Sequence, residues 1–254
     1  MNFFEISDII FIEKNEKERK IKMREIQKPT TLEKQKAISI FKSHYQGFKT
    51  NYGMTKIDID TMSDNSIKLY RGIEKTCIVS ADLPWVIKCD TYKGDERTPC
   101  MVEAKNFQRA QSWELENYFA PTYYIGQYDG VDLILQKKLK VDSEYTKSNA
   151  YKVTGEDMFA PHTYNYSNGE KVEWYPTWNS DGLDQTDILV GLYDDGDLVH
   201  FCHKYRINDL HDGNFGWDGD TPYITDFSGY HDEDATYSDG SSYYDTTYSE
   251  GSSY

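Results

Sequence analysis

The sequence predicts an α+β protein in which a series of short strands is interrupted by one main helix. Three observations predict it. From Ser66 the chain falls into runs rich in β-branched and aromatic residues, SIKLY, TCIVSA and PWVIKCD, divided by turn-like pieces. A helical stretch, MVEAKNFQRAQSWELENYF, follows, with Thr98 as its expected cap and Pro99 in the first turn, where a missing N–H costs nothing. After Pro121 come TYYIGQY and VDLILQKKL, joined across Asp129-Gly130, the strongest hairpin signal in the chain.

Ahead of the strands, residues 1–60 are strongly charged and read as a helical extension. In it Ile38, Phe41 and Tyr45 fall at i, i+3 and i+7, and Leu32 joins them as an apolar stripe that would cover the domain. Residues 61–140 hold the strands and the main helix. The stretch from Val141 to Asp181 is polar and aromatic, with Asn168-Gly169 and a single expected hairpin around KVEWY. Ile188, Leu192, Leu198, Phe201 and Cys202 then recur at helical spacing, interrupted at Gly196.

Charge and cysteine usage narrow the function classes. With 28 basic and 43 acidic residues the formal charge is −15, which argues against a nucleic-acid-binding or anionic-membrane surface. An acidic mimic of DNA is the one nucleic-acid-related reading that charge leaves open. The four cysteines form no CxxC pair, and the chain opens without a basic region followed by an apolar secretory segment, so a reduced, cytoplasmic protein is expected. His200 and His203 flank Cys202, but no second pair completes a zinc site.

The richest segment is RINDLHDGNFGWDGDTPYITDFSGY. Phosphoryl transfer needs an acid that orients the attacking hydroxyl, an amide oxygen five residues later, and a carboxylate on the next strand to hold magnesium against nucleotide phosphates. Asp209, Asn214 and Asp226 have those chemistries at those spacings. NFGW and TPYIT, turning at Asp218-Gly219, would set Asn214 and Asp226 side by side. Magnesium prefers oxygen ligands, which both residues offer.

On these residues the chain resembles the protein-kinase-like phosphotransferases. Ile207-Asn208-Asp209-Leu210 through Asn214 is similar to H-R-D-L-x-x-x-N, and Asp226-Phe227-Ser228 to D-F-G. DLHDGN is similar to the wording of atypical and small-molecule kinases, and HDGN followed by PYITD resembles the early serine/threonine kinases of T-seven type bacteriophages. The resemblance covers about residues 66 to 230 and is strongest at its end. It implies a bilobal fold with a five-stranded antiparallel N-lobe sheet over 61–140, a strongly reduced C-lobe over 141–229, and ATP with Mg2+ at the site.

The same resemblance assigns further roles. VIK in PWVIKCD is similar to V-A-I-K, which makes Lys88 the lysine that contacts the nucleotide phosphates and Glu103 its partner, with Glu96 as substitute because the spacing is short. LILQKKL would be the hinge, its backbone from Gln136 to Lys138 meeting adenine. Gly72 alone stands where the family has a glycine-rich loop, so phosphate cover is looser or comes from side chains such as Lys75. Ile207 and Asn208 replace the histidine and arginine before the catalytic aspartate. His211 stands in place of a phosphate-contacting lysine, either bracing the loop or donating when protonated. With only 25 residues after Gly229, segment 141–205 must form most of what lies beneath the site.

The chain ends by repeating one phrase, TYSDGSSY from Thr236 and TYSEGSSY from Thr247, in an acidic segment 230–254 too polar to fold alone. Tyr237 is eleven residues from Asp226, a reach of at most about 36 to 40 Å. That makes Tyr237, Ser238, Tyr243, Tyr244, Tyr248 and Ser249 candidate acceptors for self-phosphorylation, in cis or between associating copies. A solubilising acidic tail is the plain alternative. The expected function is an ATP-dependent protein kinase acting on host proteins, without membrane or nucleic-acid binding. An inactive kinase-like binding protein, a DNA mimic and a small-molecule kinase are the rivals.

Overall fold

The computed structural model of the chain describes residues 26–51, 54–59, 66–92, 98–159, 162–165, 171–174 and 183–229. The first element is helix α1 (Thr31–His44), and its start is written in the sequence. The Thr30 side chain accepts from the Glu33 amide at 3.2 Å, and the Glu33 carboxylate accepts from the Thr30 amide at 2.7 Å. Two otherwise unsatisfied amides are paired by this reciprocal cap.

Helix α1 buries Ala37 and Phe41 completely, whereas Leu32 is 74% exposed. The expected stripe therefore runs through Ala37 rather than Leu32. Nine residues separate Leu32 from Phe41, which places them on opposite sides of a helix, about 180° apart.

The helical expectation for residues 1–60 also ends early. Strands β1 (Tyr45–Asn51) and β2 (Met54–Ile59) form an antiparallel hairpin, and the Ile57 amide donates to Thr91 O at 2.9 Å. Ile57 and Ile59 alternate with Asp58, a strand period, and both lie in one buried cluster with Ile67 and Ile78. The β1–β2 hairpin thus shares a core with the strands that follow it.

The main sheet is five-stranded and antiparallel. Its strands β3 (Ile67–Arg71), β4 (Lys75–Ser80), β5 (Trp85–Asp90), β6 (Thr122–Tyr128) and β7 (Val131–Lys137) run in the order β3-β4-β5-β7-β6. Helix α2 (Pro99–Ser112) lies between β5 and β6 in sequence. The β6–β7 turn is the expected one, with Asp129 at φ 49° and Gly130 at φ 74°, a pairing that matches the twist of the flanking strands.

Alternation divides the sheet into two faces. Ile78, Ile87, Cys89, Leu133 and Leu135 join Ala37 and Phe41 in one apolar cluster. On the opposite face the register aligns Lys88 with Cys77 and Ile134, and Val86 with Gln136. Ile134 there meets Cys100 and Ala104 of α2. Lys75, two residues before Cys77, shares this face, so charge collects where α2 crosses.

Helix α2 departs from expectation at both ends. Thr98 has φ 41° and makes no side-chain cap; instead Asp90, at the end of β5, accepts from the Cys100 amide at 2.8 Å. A carboxylate at a helix N-terminus is also favoured by the helix dipole. The helix stops at Ser112 rather than continuing to Phe119. Glu114 turns left-handed at φ 60°, and the Leu115 amide donates back to Ala110 O at 2.8 Å while the Leu115 side chain is buried.

Burial pushes the Asp90 carboxyl up to about 6, against the pull of its bond from Cys100. A raised carboxyl means that the folded state holds more protons than the unfolded one between about pH 4 and pH 6, so stability contributed there falls as pH rises. Asp90→Asn keeps the acceptor and removes the titration. The variant's urea stability relative to wild type should rise by about 2 kcal/mol between pH 4 and pH 7. A difference independent of pH would contradict the assignment.

The remaining elements are helix α3 (Ser143–Thr154), the hairpin β8 (His162–Asn165) and β9 (Lys171–Trp174), helices α4 (Leu183–Tyr193) and α5 (Gly196–Lys204), and the hairpin β10 (Phe215–Asp218) and β11 (Thr221–Ile224). The β8–β9 pair is the hairpin expected around KVEWY. The break between α4 and α5 falls just before Gly196: Asp194 has φ 48°, and Asp195 caps α5 by accepting from the Asp197 and Leu198 amides at 2.9 and 3.2 Å. A second apolar cluster joins Phe107 and Phe119 to Ala150, Ile188, Leu198, Phe201, Phe215 and Phe227. Segment 141–205 supplies part of it, from Ala150 to Cys202. No helix among the described residues is long and apolar enough to cross a membrane.

Candidate active site

The loop after α5 is held by its apolar residues. Ile207 is 3% exposed, Leu210 is fully buried, and the Ile207 amide donates to Cys202 O at 2.8 Å. Ile207 acts here as a core anchor. Asp209 lies between the two anchors, and Asn214 Nδ2 donates to its backbone oxygen at 2.6 Å while standing 3.4 Å from its carboxylate Oδ2. A single turn of 3-10 helix, Asp212–Asn214, closes the loop.

Strand pairing then sets Asn214 beside the last functional carboxylate. Phe215 pairs with Ile224, and the Thr225 amide donates to Asn214 O at 2.8 Å, so Asp226 follows one residue later. The segment Asp226-Phe227-Ser228-Gly229 is fastened at each residue. Phe227 is buried with its ring centroid 5.1 Å from that of Phe119, and its carbonyl accepts from Asn106 Nδ2 of α2 at 2.8 Å. Gly229 has φ 82°, and a Cβ there would collide with the carbonyl of Arg206, so the position demands glycine.

Two lysines enter from the sheet. Lys88 Nζ donates to Glu103 Oε1 at 2.8 Å and to Thr225 O at 2.6 Å, which joins β5, α2 and the strand leading to Asp226. The expected Lys88–Glu103 pair is therefore present. Lys75 was expected only as phosphate cover, yet its ammonium lies between two carboxylates, 2.8 Å from Glu103 Oε2 and paired with Asp226, and it donates to Ser228 Oγ at 2.6 Å. Glu103 is fully buried and also accepts from Gln136 Nε2 at 2.7 Å.

These charges set the titration of the site. Burial would push Asp226 up, but the charges of Lys75 and Lys88 and the bonds from Lys75 and Ser228 overcome it and hold the carboxyl at about 2. Burial is also the main cause at Asp209, where it raises the carboxyl together with the charge of Asp226, against the opposing influence of His211 and Asn214. The two aspartates are thus driven apart: Asp226 stays anionic, and Asp209 is the better proton acceptor.

A divalent cation fits this donor set. Lys75 and Ser228 both meet Asp226 at its Oδ1, and its side chain is 36% exposed, so the second oxygen is open to a ligand. Asn214 commits its nitrogen to Asp209, which turns its carbonyl oxygen the other way. Two oxygens alone suit magnesium, which keeps waters and takes phosphates as its other ligands. No cluster of three His, Cys, Asp or Glu side chains that could hold a metal occurs among the described residues.

The hinge expectation needs correction. Gln136 lies in β7, paired with both β5 and β6, and its side chain bonds to Glu103 and to Thr122 Oγ1 at 2.9 Å. The Lys137 and Lys138 amides already donate to Pro121 O and Pro84 O at 2.9 and 3.2 Å. The Lys137 and Lys138 amides are therefore not open to adenine, and Gln136 lies on a strand held between β5 and β6. Gly72 forms a short turn between β3 and β4, its amide donating to Lys75 O at 2.8 Å. His211 Nδ1 accepts from the Gly213 amide at 3.1 Å and so braces the loop. Glu96, Tyr237, Ser238, Tyr243, Tyr244, Tyr248 and Ser249 lie outside the described residues.

Sequence reasoning missed Ser228, Asn106 and the side chain of Gln136. The available signal was strand parity, since Lys75, Lys88 and Gln136 share one face once the register is known. No family model matches the chain, and no curated protein and no solved structure matches it significantly.

Proposed function

We propose that this chain is an ATP- and Mg2+-dependent protein kinase that transfers the γ-phosphate to Ser, Thr or Tyr of host proteins in the bacterial cytoplasm and to its own C-terminal tail. The observation that carries the reading is a chain of contacts: Lys88 bonds to Glu103 and to the Thr225 carbonyl next to Asp226, Asn214 bonds to Asp209, and the charge of Asp226 acts on Asp209. The five-stranded antiparallel sheet with its helix between the third and fourth strands in sequence supports it.

Magnesium, when bound, would supply positive charge that neutralises the nucleotide phosphates. Asn214 and Asp226 would hold it through their oxygens. Lys88 spends two of its three donors on Glu103 and Thr225, leaving one for a phosphate oxygen. Asp209 orients the acceptor hydroxyl and takes its proton as the hydroxyl oxygen bonds to the γ-phosphorus and the bond to ADP breaks. The tail supplies hydroxyls within tether reach of that aspartate.

The full chain incubated with γ-labelled ATP, Mg2+ and host extract should label extract proteins and itself, and chelation of Mg2+ should remove both signals. Mass spectrometry should place the self-label at Tyr237, Ser238, Tyr243, Tyr244, Tyr248 or Ser249. No label in either the extract or the chain would contradict the reading.

A further inference from the structure

The ordinary nucleotide lysine is already satisfied by Lys88, yet a second buried lysine occupies the same site. Lys75 is 5% exposed, and its ammonium touches Glu103, Asp226 and Ser228. Its ammonium also lies 2.8 Å from the fully buried Glu103 Oε2. Glu103 is otherwise served by Lys88 and Gln136 through Oε1. Lys75 thus joins Glu103 to Asp226 and its neighbour Ser228, next to the position that a divalent cation would take.

We propose that Lys75 is an exchangeable counter-ion for Asp226: its ammonium neutralises the carboxylate when no divalent cation is bound, and is displaced when one arrives. This rests on the reading of Asn214 and Asp226 as cation ligands. Two positive charges next to one carboxylate repel, and at van der Waals separation in a partly buried site that repulsion is large. The displaced ammonium lies on the sheet face that also carries Lys88, so it becomes a second donor to nucleotide phosphates. Free cation thus binds weakly, and cation delivered with a polyphosphate, which accepts the released lysine, binds well. Lys75 is in this account a positioning and specificity residue that favours the cation–nucleotide complex over the bare cation.

The test is Mn2+ titration of the full chain, read by electron paramagnetic resonance of free Mn2+, first without nucleotide and then with ATP. Lys75→Met and Lys75→Gln should each bind bare Mn2+ at least tenfold more tightly than wild type, and Lys75→Gln/Asp226→Asn should lose that gain. With ATP present the same variants should gain nothing or weaken. In wild type, the slowly exchanging Nζ resonance of a buried lysine should shift on Mg2+ addition, a readout that needs no variant. Bare-Mn2+ affinity unchanged in both Lys75 variants, or a lysine spectrum unchanged at metal saturation, overturns the proposal. If wild type then still binds Mn2+–ATP through Asp226, the kinase reading survives that failure; if it binds neither form, both fall.

Discussion

Asp209→Asn should lower phosphoryl transfer by about 10²–10⁴-fold, the usual contribution of a positioned general base. The change is nearly isosteric, keeps the backbone oxygen that accepts from Asn214, and leaves Ile207 and Leu210 anchored. Folding should not suffer. The Asp209 carboxyl is raised by burial and by Asp226, so its charged form is disfavoured in the folded protein and the neutral amide removes a cost at neutral pH. A variant as stable as wild type, binding ATP normally and inactive, is the expected result. Full activity would remove Asp209 from the chemistry, and a collapsed fold would mean that its role is structural.

Glu103→Ala should give the largest loss of stability, about 3–5 kcal/mol in urea denaturation, as is usual when one partner of a buried ion pair is removed. Two ammonium groups, Lys75 and Lys88, each 5% exposed, would lose a shared carboxylate, and Gln136 would lose an acceptor. Typical domains have about 5–15 kcal/mol in total. By contrast the exposed pair of Lys137 and Asp218, at 2.7 Å, is of a kind worth at most about 1 kcal/mol.

The pH dependence has a definite sign. Burial works against the charged lysines, but the carboxylates overcome it and raise both above the usual range. The stability they contribute is present below about pH 10 and is lost as pH rises beyond it. In Glu103→Ala the lysines are under-compensated and release protons more readily, so the deficit against wild type should shrink toward alkaline pH. A deficit constant from pH 7 to pH 10 would show that packing, and not charge, holds Glu103 in place.

Much of the fold was legible because its signals are local. The Asp129-Gly130 turn needs two left-handed residues, and DG supplies them. KIDID, by contrast, carried a strand period that the charged surroundings of residues 1–60 obscured, and only its pairing with β1 and Thr91 reveals it. Thr98 followed the local rule for a cap, yet Asp90, ten residues before Cys100, overrode it.

The site was legible wherever residues lie close in sequence, as from Asp209 to Asp226. Lys88 with Glu103 followed from a resemblance. What escaped depends on register between strands: Lys75 and Gln136 reach Glu103 because β4, β5 and β7 align their odd or even positions on one face. A hinge at Gln136–Lys138 looked reasonable from sequence alone because nothing local shows that the Lys137 and Lys138 amides are already taken by Pro121 and Pro84.

The most direct test of the central claim is calorimetric titration of ATP into the full chain with Mg2+ and with chelator, for wild type and Asp226→Asn. Wild type should bind ATP at least tenfold more tightly with Mg2+, and Asp226→Asn should lose that difference while remaining folded. ATP affinity in wild type that is absent, or identical with and without Mg2+, would contradict it.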